Sequence, residues 1–293
     1  MNAVIVTASY RGDFERCRLL CESIDAHVSG HSRHLLLVEP RDVALFRALE
    51  GPRRQVVDER ELFPWWLRSV PDPTSFGRRR VWLSLKGPPL RGWHAQQLRR
   101  IEIGRRLEET VMISVDSDVV FLRPFETERF VEADGRIRLF RRPDWFAGIA
   151  EPSRSEHRGW SRKAGELLGI ETPAVSDHGY ISTLIAWRTD SVRAMAARIE
   201  AMTGKPAFDA LAATRQLSEC TIYGRFVEEI EGLDRHHVAS PEALCSVYWS
   251  GAALDGETLS RFVEALEPQQ VAIGIQSFTG TSTQLIRRVA GLG

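Results

Sequence analysis

Lysine is nearly absent: Lys86, Lys163 and Lys205 are the only three, and arginine carries the rest of the positive charge. So strong a bias reads first as genomic composition, although guanidinium forks also suit diphosphates. Cysteine is scarce too. None of the four sits in a C-x-x-C pair, which removes the usual signature of a zinc-thiolate site. Cys17 and Cys21 lie one helical turn apart and read as small core hydrophobes. A reduced chain fits this usage best. There is no excess charge, because 39 basic residues balance 39 acidic ones. That leaves no electrostatic case for a nucleic-acid or membrane partner. No apolar run approaches the length of a bilayer span. The opening run, residues 3–8, is too short for a secretory h-region and has no basic lead-in. The reading therefore expects a cytoplasmic chain with no transmembrane segment. Repeats, low-complexity tracts and clear linkers are also missing.

What is present is an ordinary soluble composition, 43% hydrophobic over 293 residues, enough to bury a core without staples. Residues 3–8 form a short continuous apolar run, the pattern of a strand covered on both faces. Phe14, Cys17, Leu20, Ile24 and Val28 then recur at helical spacing, with Asp13 as the expected N-cap. Further strands are expected at 34–38, 55–57, 80–85 and 111–115, and helices at 42–49 and 93–107. Residues 63–77 are rich in Pro and Trp and aperiodic, an excursion from the layered pattern. In the second half, strands are expected at 137–140, 180–187 and 271–278. Helices are expected at 191–202, 219–230 (capped by Ser218) and 284–289. Alternating strand and helix predicts an α/β fold, with a mostly parallel central sheet flanked by helices. Loops after the strands at 3–8 and 111–115 should then open onto one rim, where such sheets bind ligands.

The most informative stretch is an apolar strand running into Asp116-Ser117-Asp118 and on into Val119-Val120-Phe121. Two carboxylates at a buried strand end repel each other unless water or a cation separates them. Oxygen ligands of this kind suit Mn²⁺ or Mg²⁺. A turn with solvated acids is the simpler account of the same residues.

Three stretches together resemble bacterial GT-A glycosyltransferases, and in particular a related DUF6492-type group. They are Val4-Ile5-Val6-Thr7-Ala8-Ser9-Tyr10, Gly92-Trp93-His94-Ala95-Gln96-Gln97, and Ile113-Ser114-Val115-Asp116-Ser117-Asp118. Ser218-Glu219-Cys220-Thr221-Ile222-Tyr223-Gly224 is also similar to that group, which more usually has an aromatic at Cys220. The resemblance implies a single GT-A-like domain over 1–293. Its nucleotide-sugar-binding half would be 1–125 and its acceptor-binding half 126–293. It implies a metal-dependent transferase that moves a sugar from a UDP- or GDP-sugar to a carbohydrate or other hydroxyl acceptor, with surface glycan assembly as a context by analogy. Thr7, Ala8, Ser9 and Tyr10 would surround the nucleoside, and Asp13 would contact the base or only cap its helix. Asp116 would face ribose and metal, with Ser117 beside it, and Asp118 would bind the metal. Gln96, with His94 and Gln97, would lie near nucleotide or sugar, and Lys86 or Arg91 would meet phosphate.

Proton transfer from an acceptor hydroxyl needs a carboxylate in an inverting enzyme. Glu219 is the first choice and Asp177 the second. A helix-start Glu is also favoured by the helix dipole alone. Tyr223, one turn on, would share the acceptor pocket. His236 and His237 would be a third metal ligand or an exposed loop pair. The loop 277–282 would bind phosphate or simply cap the closing helix.

Three other readings compete. A haloacid-dehalogenase-like phosphohydrolase would use Asp116 as nucleophile and Asp118 as acid and base, but its motif normally opens the fold. A nucleotidyltransferase would carry a richer Gly and basic loop than Thr7-Ala8-Ser9-Tyr10-Arg11-Gly12. A non-catalytic nucleotide-sugar-binding protein would keep the fold without turnover.

Overall fold

Strand β1 (Ala3–Ala8) is buried along its whole length and forms the middle of the main sheet. The computed structural model describes residues 2–75 and 79–292. After β1 the chain makes a 3-10 turn and helix α1 (Phe14–His27), then strands β2 (His31–Val38) and β3 (Arg54–Asp58). Helix α2 (Gly92–Arg106) leads back to β4 (Val111–Val115) and the short strand β5 (Val119–Phe121). Helix α3 (Ser153–Leu168), strand β6 (Leu184–Arg188) and helices α4 (Thr189–Thr203) and α5 (Glu219–Phe226) follow. The chain closes with β7 (Cys245–Tyr248), α6 (Gly256–Glu264), β8 (Ala272–Ile275) and α7 (Thr283–Val289).

The main sheet runs β6-β4-β1-β2-β3. Its pairings are parallel except at β6, which lies antiparallel on β4. Alternation along β1 divides the core. Val4, Val6 and Ala8 join Leu98, Ile101, Met112, Val192, Met195 and Phe226 on the face covered by α2, α4 and α5. Ala3 and Ile5 join Leu20, Ile24, Ile113 and Phe121 on the face covered by α1. The fold is thus mixed α/β, with a mostly parallel central sheet flanked by helices.

From β1 the chain first builds outward to β2 and β3, then returns to place β4 on the opposite side of β1. The strand order therefore reverses between β1 and β4. Connections leaving the carboxyl ends of these two strands diverge, which opens a crevice there. A second, three-stranded sheet, β7-β8-β5, stands beside it. Asp116-Ser117-Asp118 forms the corner where the chain leaves one sheet for the other. The Asp116 N–H donates to the Thr183 carbonyl at 3.1 Å, and the Asp118 carbonyl accepts the Ile275 N–H at 3.1 Å. Strand pairs β4–β6 and β5–β8 both join residues before 125 to residues after 126.

Several elements differ from the sequence reading. The aperiodic stretch contains a strand, Arg68–Pro71, which pairs antiparallel with Arg80–Leu83. Phe76 and Gly77, at the end of that stretch, lie outside the described residues. Helix α3 was not expected, nor were β7 and α6. The helix expected over 219–230 is α-helical only to Phe226 and continues as a wider π turn, Val227–Gly232. Among the described residues no helix is long and apolar enough to cross a membrane.

Candidate functional site

The crevice at the strand-order reversal is lined by residues from every element that meets there. Ala8 and Asp13 follow β1, and Asp116, Ser117 and Asp118 follow β4. Trp93, Gln96, Gln97 and Arg100 come from α2, and Ser218, Glu219 and Cys220 from the start of α5. Ile181 and Ser182 precede β6, while Trp249, Gln276 and Ser277 come from the small sheet's loops.

Residues 93, 96, 97 and 100 show one helix face at spacings of three and four. The Gln97 side-chain carbonyl accepts the Glu219 N–H at 3.0 Å. Ser218 caps α5, its hydroxyl accepting the Thr221 N–H at 3.3 Å. Arg100, itself buried, reaches two carboxylates at once. Its Nη2 donates to Asp116 Oδ1 at 2.8 Å and its Nη1 to Glu219 Oε1.

The electrostatics follow from burial. Desolvation raises the Asp116 and Glu219 carboxyls above their ordinary values, and Arg100 pulls both back. Desolvation also lowers Arg100, but Glu219 and Asp116 more than offset it and its value rises. Among the described residues Asp118 has no direct cationic partner. Burial, then the like charges of Asp116 and Asp13, push it up to about 7, against the pull of Arg16. Its Oδ1 is buried with no hydrogen-bond partner among the described residues. Arg16 is spent on backbone, donating to the carbonyls of Ile275 and Thr281 at 2.8 Å each. Desolvation raises Asp13 as well, while Ser277, Arg16 and Ser117 lower it. Burial and the nearby Glu219 push the Cys220 thiol up, which disfavours the thiolate a nucleophile needs.

Whether a divalent cation fits can be judged from this donor set. Among the described residues no group of three or more His, Cys, Asp or Glu side chains could hold a metal unaided. Mg²⁺-like ions, however, commonly take one or two carboxylates and complete their shell with water and substrate phosphate. Asp116 and Asp118 meet that requirement, and the unpartnered Asp118 oxygen needs a cation most. Asp13, Asp116, Asp118 and Glu219 against Arg16 and Arg100 leave a formal excess of two negative charges, which one divalent ion would balance.

The residues expected from sequence divide into two groups. Ala8, Asp13, Gln96, Gln97, Asp116, Ser117, Asp118 and Glu219 line the crevice together. Tyr10 follows Ala8 and Ser9 and is 40% exposed. Asp13 occupies the N-cap position of α1 but makes no side-chain capping bond. Thr7 points into the fold, where its hydroxyl meets His34 Nε2 at 3.0 Å, and Ser9 is fully buried. Lys86 lies away from the crevice, paired with Asp209 at 2.7 Å. His94 is buried against the Arg215 carbonyl at 2.9 Å. Asp177 is exposed and outside the lining, as is Arg91. Tyr223 is not in the pocket: it stacks on Trp187 at 4.7 Å and bonds His237 at 2.9 Å. His237 is fully buried at the start of a strand, neither a loop residue nor near Asp118. Of the loop 277–282, Ser277 reaches the crevice.

Sequence reasoning missed Arg100, Arg16 and Trp249. Arg100 was within reach, since it continues the Trp93, Gln96, Gln97 face by one more turn. Arg16 follows Asp13 by three residues. Trp249 had no signal, because the strand before it was not read as one.

No curated protein matches the chain. Residues 2–289 match the model of a family described as a Family of unknown function (DUF6492), and the chain belongs to that family.

Proposed function

We propose that the protein is a metal-dependent glycosyltransferase with a GT-A-like arrangement, taking a nucleoside-diphosphate sugar as donor and a hydroxyl as acceptor. The observation that carries this reading is the Asp116-Ser117-Asp118 corner at the strand-order reversal, where a buried Asp118 oxygen has no partner among the described residues and feels the like charges of Asp116 and Asp13. Asp118, with Asp116, would hold Mn²⁺ or Mg²⁺, and such an ion would offset the charge of the departing diphosphate. The loop after β1, with Ala8, Tyr10 and Asp13, is the side for the nucleoside.

Glu219, at the start of α5 and joined to Asp116 through Arg100, is the group assigned to take the acceptor proton. The acceptor oxygen bonds to the anomeric carbon as the bond from that carbon to the diphosphate oxygen breaks. The electron pair leaves with the diphosphate, and the acceptor proton passes to Glu219. Arg100 pulls the Glu219 carboxyl back towards the ionised form a base requires, against the desolvation that raises it. Trp93 and Trp249, 44% and 52% exposed, both line the crevice and offer flat apolar faces to a base or sugar ring.

The phosphohydrolase alternative fares worse on the same residues. Asp116 would have to attack phosphorus, yet its Oδ1 is paired to Arg100 and the motif follows the fourth strand of the main sheet and does not open the fold. The test is a thermal-shift panel of UDP, GDP, CDP and dTDP, each with and without Mn²⁺. A shift with one nucleotide that requires Mn²⁺ is expected. No shift with any of the four would overturn the transferase reading, and hydrolysis of a generic phosphate ester would then favour the phosphohydrolase.

A further inference from the structure

We infer that Arg100 is a positioning residue that yokes Asp116, on the donor side, to Glu219, on the acceptor side, so that metal binding and proton acceptance share one buried cation. The inference rests on the proposed transferase reading.

The two carboxylates come from different parts of the chain, one from the end of β4 and the other from the first residue of α5. Arg100 Nη2 lies 2.8 Å from Asp116 Oδ1, and Nη1 bonds Glu219 Oε1. A planar guanidinium presents its donors at a fixed angle, so two carboxylates held by one fork are also held at a fixed separation. The preceding residue braces the helix from its other side. Arg99 pairs with Glu59, its Nε 3.0 Å from Oε2, and both side chains are buried. Helix α2 is therefore pinned at consecutive residues, and Arg100 has a fixed base from which to reach. Gln97, one turn earlier, bonds the Glu219 N–H at 3.0 Å. The same helix thus holds Glu219 by both backbone and carboxylate.

This bridge has two opposed effects. It orients Glu219, which favours transfer. It also places a positive charge against Asp116, which weakens the pull of that carboxylate on a divalent ion. Removing the guanidinium should strengthen Mn²⁺ binding and weaken transfer together. A residue needed only for folding would not tighten the metal.

The experiment compares wild type, Arg100→Gln and Arg100→Lys. Mn²⁺ is titrated at pH 8, alone and with each of the four nucleoside diphosphates against nucleotide-only blanks, with the free ion read by electron paramagnetic resonance. Transfer is assayed with the sugar of whichever nucleotide the thermal-shift panel selects. Arg100→Gln is expected to bind Mn²⁺ about tenfold more tightly than wild type. Arg100→Lys keeps the charge but not the fork, and should bind Mn²⁺ as wild type does. Both should lose transfer about 10²-fold through misplacement of Glu219. Equal or weaker Mn²⁺ binding by Arg100→Gln would overturn the inference. So would wild-type transfer by Arg100→Lys, which carries the test alone if the glutamine variant does not fold. A wild type that binds Mn²⁺ neither alone nor with any of the four nucleoside diphosphates overturns the metal-dependent reading first, and this inference with it. A wild type that binds Mn²⁺ beside an unchanged Arg100→Gln leaves that reading standing and sinks only the bridge.

Discussion

The Gln97 side-chain carbonyl accepts the backbone N–H of Glu219 at 3.0 Å, fastening the middle of α2 to the first residue of α5. The first N–H groups of a helix have no partner within it. Ser218 satisfies that of Thr221, and Gln97 satisfies that of Glu219. Gln97→Ala should leave the buried Glu219 N–H unpaired, at a cost of about 1–3 kcal/mol. The expected result is a lower melting temperature and slower transfer, with nucleotide binding retained. An unchanged melting temperature would show that water replaces the side chain.

Asp118 gives a pH signature with a definite sign. Its folded value, about 7, is raised above the ordinary carboxylate value of 3.8. The folded state therefore holds this proton more tightly than the unfolded chain. The stabilisation is complete below about pH 4 and is lost as pH rises through about 7. Asp118→Asn should accordingly raise the metal-free melting temperature at pH 8 and change it little at pH 4. The same variant should abolish any Mn²⁺-dependent shift with a nucleotide. Calorimetry at the two pH values checks the first expectation, and the thermal-shift panel checks the second.

Glu219→Gln preserves shape and removes the proton acceptor. Nucleotide and Mn²⁺ binding should persist, while transfer falls by about 10²–10⁴. Transfer at the wild-type rate would reduce Glu219 to a helix-start residue.

Histidine at the far end of the main sheet acts in the opposite direction to Asp118. Burial, then the charges of Arg53 and Arg54, lower His31 to about 4. A depressed histidine contributes stability above its unfolded value of 6.5, and that stability is lost as pH falls towards 4. His31→Asn should flatten this acid limb in urea melts taken between pH 7 and 4. An unaltered slope would assign the limb to other groups.

Trp249→Ala should weaken nucleotide binding or acceptor use without lowering the melting temperature, because its ring is 52% exposed. A large loss of stability would instead make it a packing residue.

The main sheet was legible in the sequence because its strands are short apolar runs buried on both faces, as at residues 3–8 and 111–115. The corner at Asp116–Asp118 was legible for the same reason, since a charged pair interrupts such a run conspicuously. Strand β7 was not, for Ser246 and Tyr248 are only partly buried and its apolar signal is weak. Helix α3 was hidden because Gly159, Ser161 and Gly165 occupy its buried face, where they give no apolar signal. Site residues on legible elements, such as Gln97 and Glu219, could be named in advance. Lys86 was misplaced because a loop's direction depends on tertiary partners, here Asp209 and the Trp66 ring 4.6 Å from its Nζ. Arg100 was passed over because its role depends on two carboxylates distant in sequence.

The corner formed by Asp116, Ser117 and Asp118 has a mechanical consequence. Asp116 ends a strand of the large sheet, while Asp118 leads directly into a strand of the small one. Any rocking of one sheet against the other must pass through this joint and change the gap between the two carboxylates. An ion gripped by both would act as a rivet across the joint. The pocket wall carrying Trp249 and Ser277 would then be stiffened from the inside, and amide exchange in β7 and β8 should slow when Mn²⁺ is added.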